Sequence, residues 1–290
     1  MEIQIEILKA IQSIRTPGLD ILFKVVTMTA EEVFFILIAA WLLWCKNKSL
    51  GYRVGFALLS STAFNPILKN TFRVARPIGV EGIESMRTHT APGYAFPSGH
   101  TQGAASFWTG LMTSFRRPRM YILGVIAIVL VGFSRMYLGV HWPTDVIGGM
   151  AAGIFWVFFA NRVFDWSRAK EDHRILLWLI LPLCLGLVLF PDEAYIKSLG
   201  ALLGFCAGFV LEDRRIHFNV EASLPVQVLK ILIGIVVLLI LKEGLKVLLP
   251  FHYIIGDLLR YFAVGFWITA GAPFLFKRVF QDTGRTGLAE

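Results

Sequence analysis

Apolar residues along this chain come in long blocks rather than in the alternation of a soluble domain. A helix needs about 20 mostly apolar residues to cross the hydrocarbon core of a bilayer. Nine blocks approach that length, at roughly 29–46, 52–70, 98–115, 120–138, 142–163, 174–191, 195–211, 227–249 and 255–276. They predict an all-α, polytopic membrane helix bundle with about nine transmembrane helices. Ahead of the first block, Ile3, Ile7, Ile11 and Ile14 recur at helical spacing, with Glu6, Lys9 and Arg15 interleaved. That pattern predicts an N-terminal amphipathic helix lying in the membrane interface over 1–28; the alternative is an extension of the first span.

The polar segments between blocks give an orientation. Lys46, Lys48 and Arg53 follow the first block, and Arg116, Arg117 and Arg119 the third. Arg162, Arg168, Lys170 and Arg174 follow the fifth, Arg214 and Arg215 the seventh, and Lys277, Arg278 and Arg285 the ninth. The loops around 192–194 and 250–254 contain no Lys or Arg. Basic residues mark cytoplasmic loops, so the odd-numbered exits face the cytoplasm, the N-terminus lies outside and the C-terminus inside. The 71–97 segment breaks this rule. It falls on the outer side yet carries Arg73, Arg76 and Arg87, with Lys69 just before it, so these cations need another reason.

Composition agrees with a membrane protein. Of 290 residues, 56% are hydrophobic and 17% charged, which excludes a disordered chain and argues against a soluble enzyme. The net charge of +8 would suggest nucleic acid in a soluble protein, but here the topology rule explains the basic clusters, and no nucleic-acid partner is expected. Cys45, Cys184 and Cys206 lie in or beside apolar stretches without metal-ligand spacing and read as packing residues. The first fifteen residues lack the basic start and unbroken apolar run of a cleavable signal peptide. The Asn47-Lys48-Ser49 triplet matches the Asn-x-Ser glycosylation pattern but falls in an expected cytoplasmic loop, so it says nothing about the location.

Three clusters carry chemistry: Lys69 through Arg76-Pro77; Pro97-Ser98-Gly99-His100; and Ser134-Arg135, then His141 and Asp145. The expected topology brings all three to one outer face. Lys69, Arg76 and Arg135 offer fixed positive charge suited to phosphate oxygens. Ser98 and Gly99 stand where a helix begins, and its free N–H groups suit an oxyanion. His141 and Asp145, four apart, share a helix face, so the carboxylate can hold one imidazole nitrogen and leave the other free to attack. Each residue alone has an ordinary reading, as a cap, a topology marker or an interfacial polar group. Two histidines, an aspartate and three cations on one face call for a joint one: an anion site beside a nucleophile–acid pair.

The pattern Lys-x6-Arg-Pro, Pro-Ser-Gly-His and Ser-Arg-x5-His-x3-Asp resembles the three-part signature of the type 2 phosphatidic acid phosphatase superfamily, which includes lipid phosphate phosphatases, glucose-6-phosphatase and vanadium haloperoxidases. The resemblance covers about 52–163. It implies that His141 is the nucleophile and forms a phosphohistidine, that Asp145 orients it, and that His100 protonates the leaving oxygen and then activates water. Lys69, Arg76, Ser98, Gly99 and Arg135 would bind the phosphoryl oxygens. No cofactor or metal is implied.

The expectation is a metal-independent integral-membrane phosphatase acting on a lipid phosphate or diphosphate. Its catalytic core would be 29–163, with additional helices of unknown role over 164–290. The alternatives are a phosphatase for a soluble sugar-type phosphate, a vanadium haloperoxidase, and a non-catalytic lipid-binding or transport protein. The expected location is a bacterial cytoplasmic membrane with the site facing outside. Expected partners are the membrane and its lipid phosphate substrate, with a homodimer allowed. Glu81, Glu84, His89 and Tyr94 of the 71–97 segment are candidates for selecting the headgroup, or for a plain structural lid.

Overall fold

The structure, a computed structural model, describes residues 1–248 and 253–282. Arg285, and residues 250–252 of the expected Lys/Arg-free loop, lie outside the described residues. Among the described residues every regular element is helical. The α-helices are α1 (Glu2–Gln12), α2 (Pro17–Met28), α3 (Glu32–Trp41), α4 (Lys48–Phe72), α5 (Gly99–Phe115), α6 (Pro118–Tyr137), α7 (Pro143–Ala169), α8 (Leu177–Leu189), α9 (Glu193–Leu211), α10 (Leu224–Leu248), α11 (Tyr253–Phe266) and α12 (Ala272–Lys277).

Among the described residues, five helical stretches are long and apolar enough to cross a membrane: Pro118–Tyr137, Pro143–Ala169, Glu193–Ile216, Leu224–Leu248 and Ile254–Gln281. They match the expected blocks at 120–138, 142–163, 195–211, 227–249 and 255–276. The other four blocks are also helical, but each falls short for a physical reason. Helix α3 is 10 residues, prolonged only by the π-helical turn Leu42–Lys46. Helix α4 is long but carries Lys48, Arg53, Asn65, Lys69 and Asn70. Helix α5 has 17 residues, about 26 Å at 1.5 Å per residue. The stretch His173–Leu189 is apolar but similarly short.

The N-terminal segment is two helices, not one. Thr16 ends the break by accepting a hydrogen bond from the Leu19 N–H at 3.3 Å, and Pro17 takes the first helical turn, where a missing N–H costs nothing. On α1, Ile3 and Ile7 are exposed, as is Ile14 in the turn beyond it, while Leu8 is fully buried against Ile83, Ala95 and Trp142.

The chain folds as two compact units, one of residues 1–35 and 64–162, the other of 36–63 and 163–290. In the first, α7 meets α5 through glycine. A Cβ on Gly149 would stand 2.7 Å from the Ser98 carbonyl oxygen, and one on Gly153 2.5 Å from that of Gln102. Such close approach fixes the start of α5 against α7, as small residues do between membrane helices. In the second unit α9 meets α11 in the same way, with Gly200 against the Leu258 carbonyl. There the buried Lys230 donates to the carbonyls of Trp44 at 2.7 Å and Val220 at 2.9 Å and lies over the Phe218 ring.

Candidate active site

All eight site residues expected from sequence lie in the first unit. Asp145 sits in the first turn of α7. One of its carboxylate oxygens accepts the Trp142 backbone N–H at 2.8 Å and faces His141 Nδ1 at 3.2 Å. The other nitrogen of His141, Nε2, lies 2.9 Å from Arg76 Nη1. A guanidinium only donates, so Nε2 must accept, and the proton of the neutral ring belongs on Nδ1, towards Asp145. His141 is buried, and burial first, then the positive charges of Arg135, Arg76 and Lys69, hold its pKa well below the ordinary 6.5. The site therefore presents a neutral imidazole whose Nε2 carries the lone pair.

Arg76 is fully engaged. Its Nε donates to the Gly93 carbonyl at 2.9 Å, Nη2 to those of Pro92 at 2.8 Å and Tyr94 at 3.0 Å, and Nη1 to that of Val140 at 2.9 Å as well as to His141. Lys69 Nζ donates to the same Tyr94 carbonyl at 2.8 Å. The first motif is thus anchored on the backbone of the 92–94 turn. Arg135 differs. It is wholly buried on α6, and Nη1 donates to Thr27 Oγ1 at 2.8 Å. Its Nε and Nη2 are buried with no hydrogen-bond partner. A buried cation with unused donors is costly unless an anion completes it.

Ser98 is the N-cap of α5: its hydroxyl oxygen accepts from the Thr101 N–H and lies 3.0 Å from Thr101 Oγ1. The Ser98 N–H donates to the Asp145 backbone carbonyl at 3.0 Å and ties the second motif to the third. A Cβ on Gly99 would come within 3.3 Å of Asn65 Oδ1. His100 Nε2 is buried without a hydrogen bond, 3.9 Å from Glu31 Oε1. Of the proposed headgroup selectors, Glu84 pairs with Arg15 at 2.8 Å, and Tyr94 contributes its carbonyl rather than its ring.

Sequence reasoning missed several participants. Asn65 donates to Gln102 Oε1 at 2.8 Å and to the Pro97 carbonyl at 3.3 Å, bracing the second motif from α4. Polar residues inside apolar blocks were its available signal. The Pro92-Gly93 pair marks a turn, but nothing in side-chain chemistry reveals that its carbonyls hold an arginine. Thr27 and Glu31, far ahead of the motifs, gave no signal. Among the described residues no three His, Cys, Asp or Glu side chains group to hold a metal ion.

Comparison with known proteins bears on the family. The family model described as PAP2 superfamily matches residues 50–169, and a second, PAP2 superfamily phosphatase, transmembrane extension, matches 196–284. The latter covers helices that the motif resemblance left without a role. The chain is 35% identical over 166 residues to a probable sphingosine-1-phosphate phosphatase of Dictyostelium discoideum, covering 53% of this chain and 40% of that protein. It is 30% identical over 151 residues to an undecaprenyl-diphosphatase of Sulfolobus acidocaldarius, covering 50% of this chain and 70% of that one. The crystal structure of Aquifex aeolicus LpxE shares the fold with a TM-score of 0.50 at 23% identity, covering 55% of this chain and 95% of that chain. With the signature complete, its residues gathered in one site and both family models matched, the chain belongs to the PAP2 superfamily.

Proposed function

We propose that this protein is an integral-membrane phosphatase that removes phosphate from a lipid phosphate or diphosphate. The observation that carries this reading is the pairing of an Asp145-oriented, neutral His141 with a buried Arg135 whose Nε and Nη2 lack partners. A phosphoryl group supplies what both lack. Its oxygens take up the free donors of Arg135, and Arg76 Nη1 turns from His141 Nε2 to the phosphate, releasing the lone pair for attack. His141 Nε2 bonds to phosphorus as the bond to the leaving oxygen breaks, and His100 gives that oxygen a proton. His100 then takes a proton from water, whose oxygen attacks the phosphohistidine and restores His141. Lys69, Arg76, Arg135, the capped start of α5 at Ser98 and the Gly99 backbone hold the phosphoryl oxygens meanwhile.

The lipid class follows from the setting. Relatives carry the names of phosphatases for sphingosine-1-phosphate, undecaprenyl diphosphate and phosphatidylglycerophosphate. The reading takes nine spans, with α3, α4, α5 and α8 added to the five long ones, the motifs at the outer face and α1 in the interface; the exposed Ile3 and Ile7 of α1, and Ile14 just beyond it, support the last of these. Purified protein should release phosphate from phosphatidic acid, phosphatidylglycerophosphate or a polyprenyl diphosphate, and far less from glucose 6-phosphate, with full activity in a chelator. His141→Ala should lose at least about 10³-fold while remaining folded. Preference for the sugar phosphate would move the enzyme to soluble substrates. An active His141→Ala protein would remove the covalent mechanism.

A further inference from the structure

Glu31 belongs to no motif. It sits in the turn between α2 and α3, and its Oε1 accepts Arg87 Nη2 at 2.6 Å while standing 3.9 Å from His100 Nε2. That nitrogen is buried and makes no hydrogen bond. Arg87 reaches Glu31 from the 71–97 segment with a backbone φ of +54°, a left-handed conformation that a non-glycine residue adopts at a cost. Arg87 is one of the cations that the topology rule left unexplained.

The charges around His100 give these positions a purpose. His100 is buried, which by itself disfavours a charged ring, and Arg135 on α6 and Lys69 at the end of α4 add their positive charge. A positive field disfavours a protonated imidazole, yet a general acid must carry a proton when the leaving oxygen departs. Until a phosphate dianion arrives, Glu31 is the carboxylate opposing that field. A doubly protonated ring has two N–H groups: one can face Glu31 and the other the leaving oxygen.

We propose that Glu31, tethered by Arg87, is a positioning residue that favours the protonated form of His100 and aims it at the leaving oxygen. This rests on the phosphatase reading above. As His141 Nε2 bonds to phosphorus, the bond to the leaving oxygen breaks and the His100 proton passes to that oxygen; Glu31 itself gives up and gains nothing. Arg87 fixes the carboxylate and partly offsets its charge, so the two residues act in opposite directions on the imidazolium.

The test compares two leaving groups in single turnover with purified protein. Phosphatidic acid leaves an alkoxide-like oxygen that needs the proton, whereas p-nitrophenyl phosphate leaves a phenolate that does not. Glu31→Gln should slow diacylglycerol release about tenfold and p-nitrophenolate release less than about threefold. The alkaline limb of the phosphatidic acid rate should move to lower pH in Glu31→Gln and to higher pH in Arg87→Gln, a sign reversal that a merely structural role does not produce. Glu31→Asp, which keeps the charge on a shorter arm, should restore part of the rate, and carries the two-ester comparison if Glu31→Gln fails to fold. Equal losses on both esters, or an alkaline limb that stays in place, would overturn the positioning role while leaving the phosphatase intact. A wild-type protein that releases neither leaving group would end the phosphatase reading and this one with it.

Discussion

Arg135 in the first unit and Lys230 in the second are both buried cations, with 0% and 1% of their surface exposed. Lys230 is provided for: two carbonyls accept its protons and an aromatic face covers it. Arg135 is left half-finished, with one nitrogen held by Thr27 and two others unpartnered. The same contrast runs through the units. In the first, orphaned polar atoms fall on the site residues Arg135, His100 and Asp145, with others on Arg87, Thr109 and Asn161. The second unit scatters its unpartnered atoms over Glu212, His173, Gln227 and Arg260. A buried charge that the fold satisfies is architecture; one that it leaves wanting an anion marks where the anion binds.

Substituting the two cations separates these roles and should give the largest effects. Arg135→Met is expected to lower kcat/KM on a lipid phosphate about 10²–10³-fold, the scale of losing a preorganised charge stabiliser. Its thermal midpoint in detergent should hold or rise, because an uncompensated buried charge leaves the empty site. Lys230→Met should do the reverse. It takes the lysine donor from the buried Trp44 carbonyl, while the Val220 carbonyl keeps Gln227 Nε2, at about 1–3 kcal/mol of stability, and keeps turnover within a few-fold. Melting curves and phosphate release measured on the same preparations decide it. An Arg135→Met protein that loses stability as Lys230→Met does would erase the distinction between the units.

A smaller effect separates them by pH. Burial, reinforced by Arg135 and Arg76, depresses the pKa of His141 below 6.5, while burial brings Arg76 down to about 10, so Arg76 stays charged through neutrality. His141 therefore remains a neutral nucleophile as pH falls through 6.5, and the acid limb of turnover should lie below that value. Arg76→Gln removes a repelling charge and should move the limb upward. The linked stability has a definite sign. Below 6.5 the unfolded chain protonates this histidine and the folded one does not, so its contribution favours unfolding as pH falls from about 6.5 towards the depressed value. His141→Gln should lessen the pH dependence of the melting midpoint over that window. An acid limb above 6.5 in the wild type would mean that the cations do not act on the nucleophile.

What sequence made legible of the candidate site is side chains at fixed spacing: His141 and Asp145 one helical turn apart, and Ser98 at the head of α5. What stayed hidden works through backbone or through space. The carbonyls of Pro92, Gly93 and Tyr94 leave no side-chain signature, and Thr27 lies 108 residues from the Arg135 it binds. Hydropathy found the helices at every block, yet length and polarity kept α3, α4, α5 and α8 outside the set long and apolar enough to span on their own. For α4 the reason is functional: Asn65 and Lys69, which lower its hydropathy, brace the second motif and face the 92–94 turn.

Glycine contacts give the finest version of the comparison. Gly149 on α7 and Gly200 on α9 face main-chain oxygens of α5 and α11 at nearly equal closeness, so a Cβ would stand 2.7 Å from the Ser98 oxygen in one case and 2.6 Å from the Leu258 oxygen in the other. Backbone cannot swing aside as a flexible side chain does, so Gly149→Ala and Gly200→Ala should each push two helices apart and cost about 1–3 kcal/mol. Their effects on activity should differ. The carbonyl that Gly149 touches belongs to the residue whose N–H is bonded to the Asp145 carbonyl and which opens the helix carrying His100. Moving it by a few tenths of an ångström shifts the general acid relative to the nucleophile, and turnover should fall about fivefold, since reacting groups tolerate little misplacement. Gly200 touches no residue of the site, so Gly200→Ala should melt earlier and keep its kcat. Equal kcat values in the two variants, at matched loss of stability, would show that the α5–α7 contact supports the fold without setting the geometry of the chemistry.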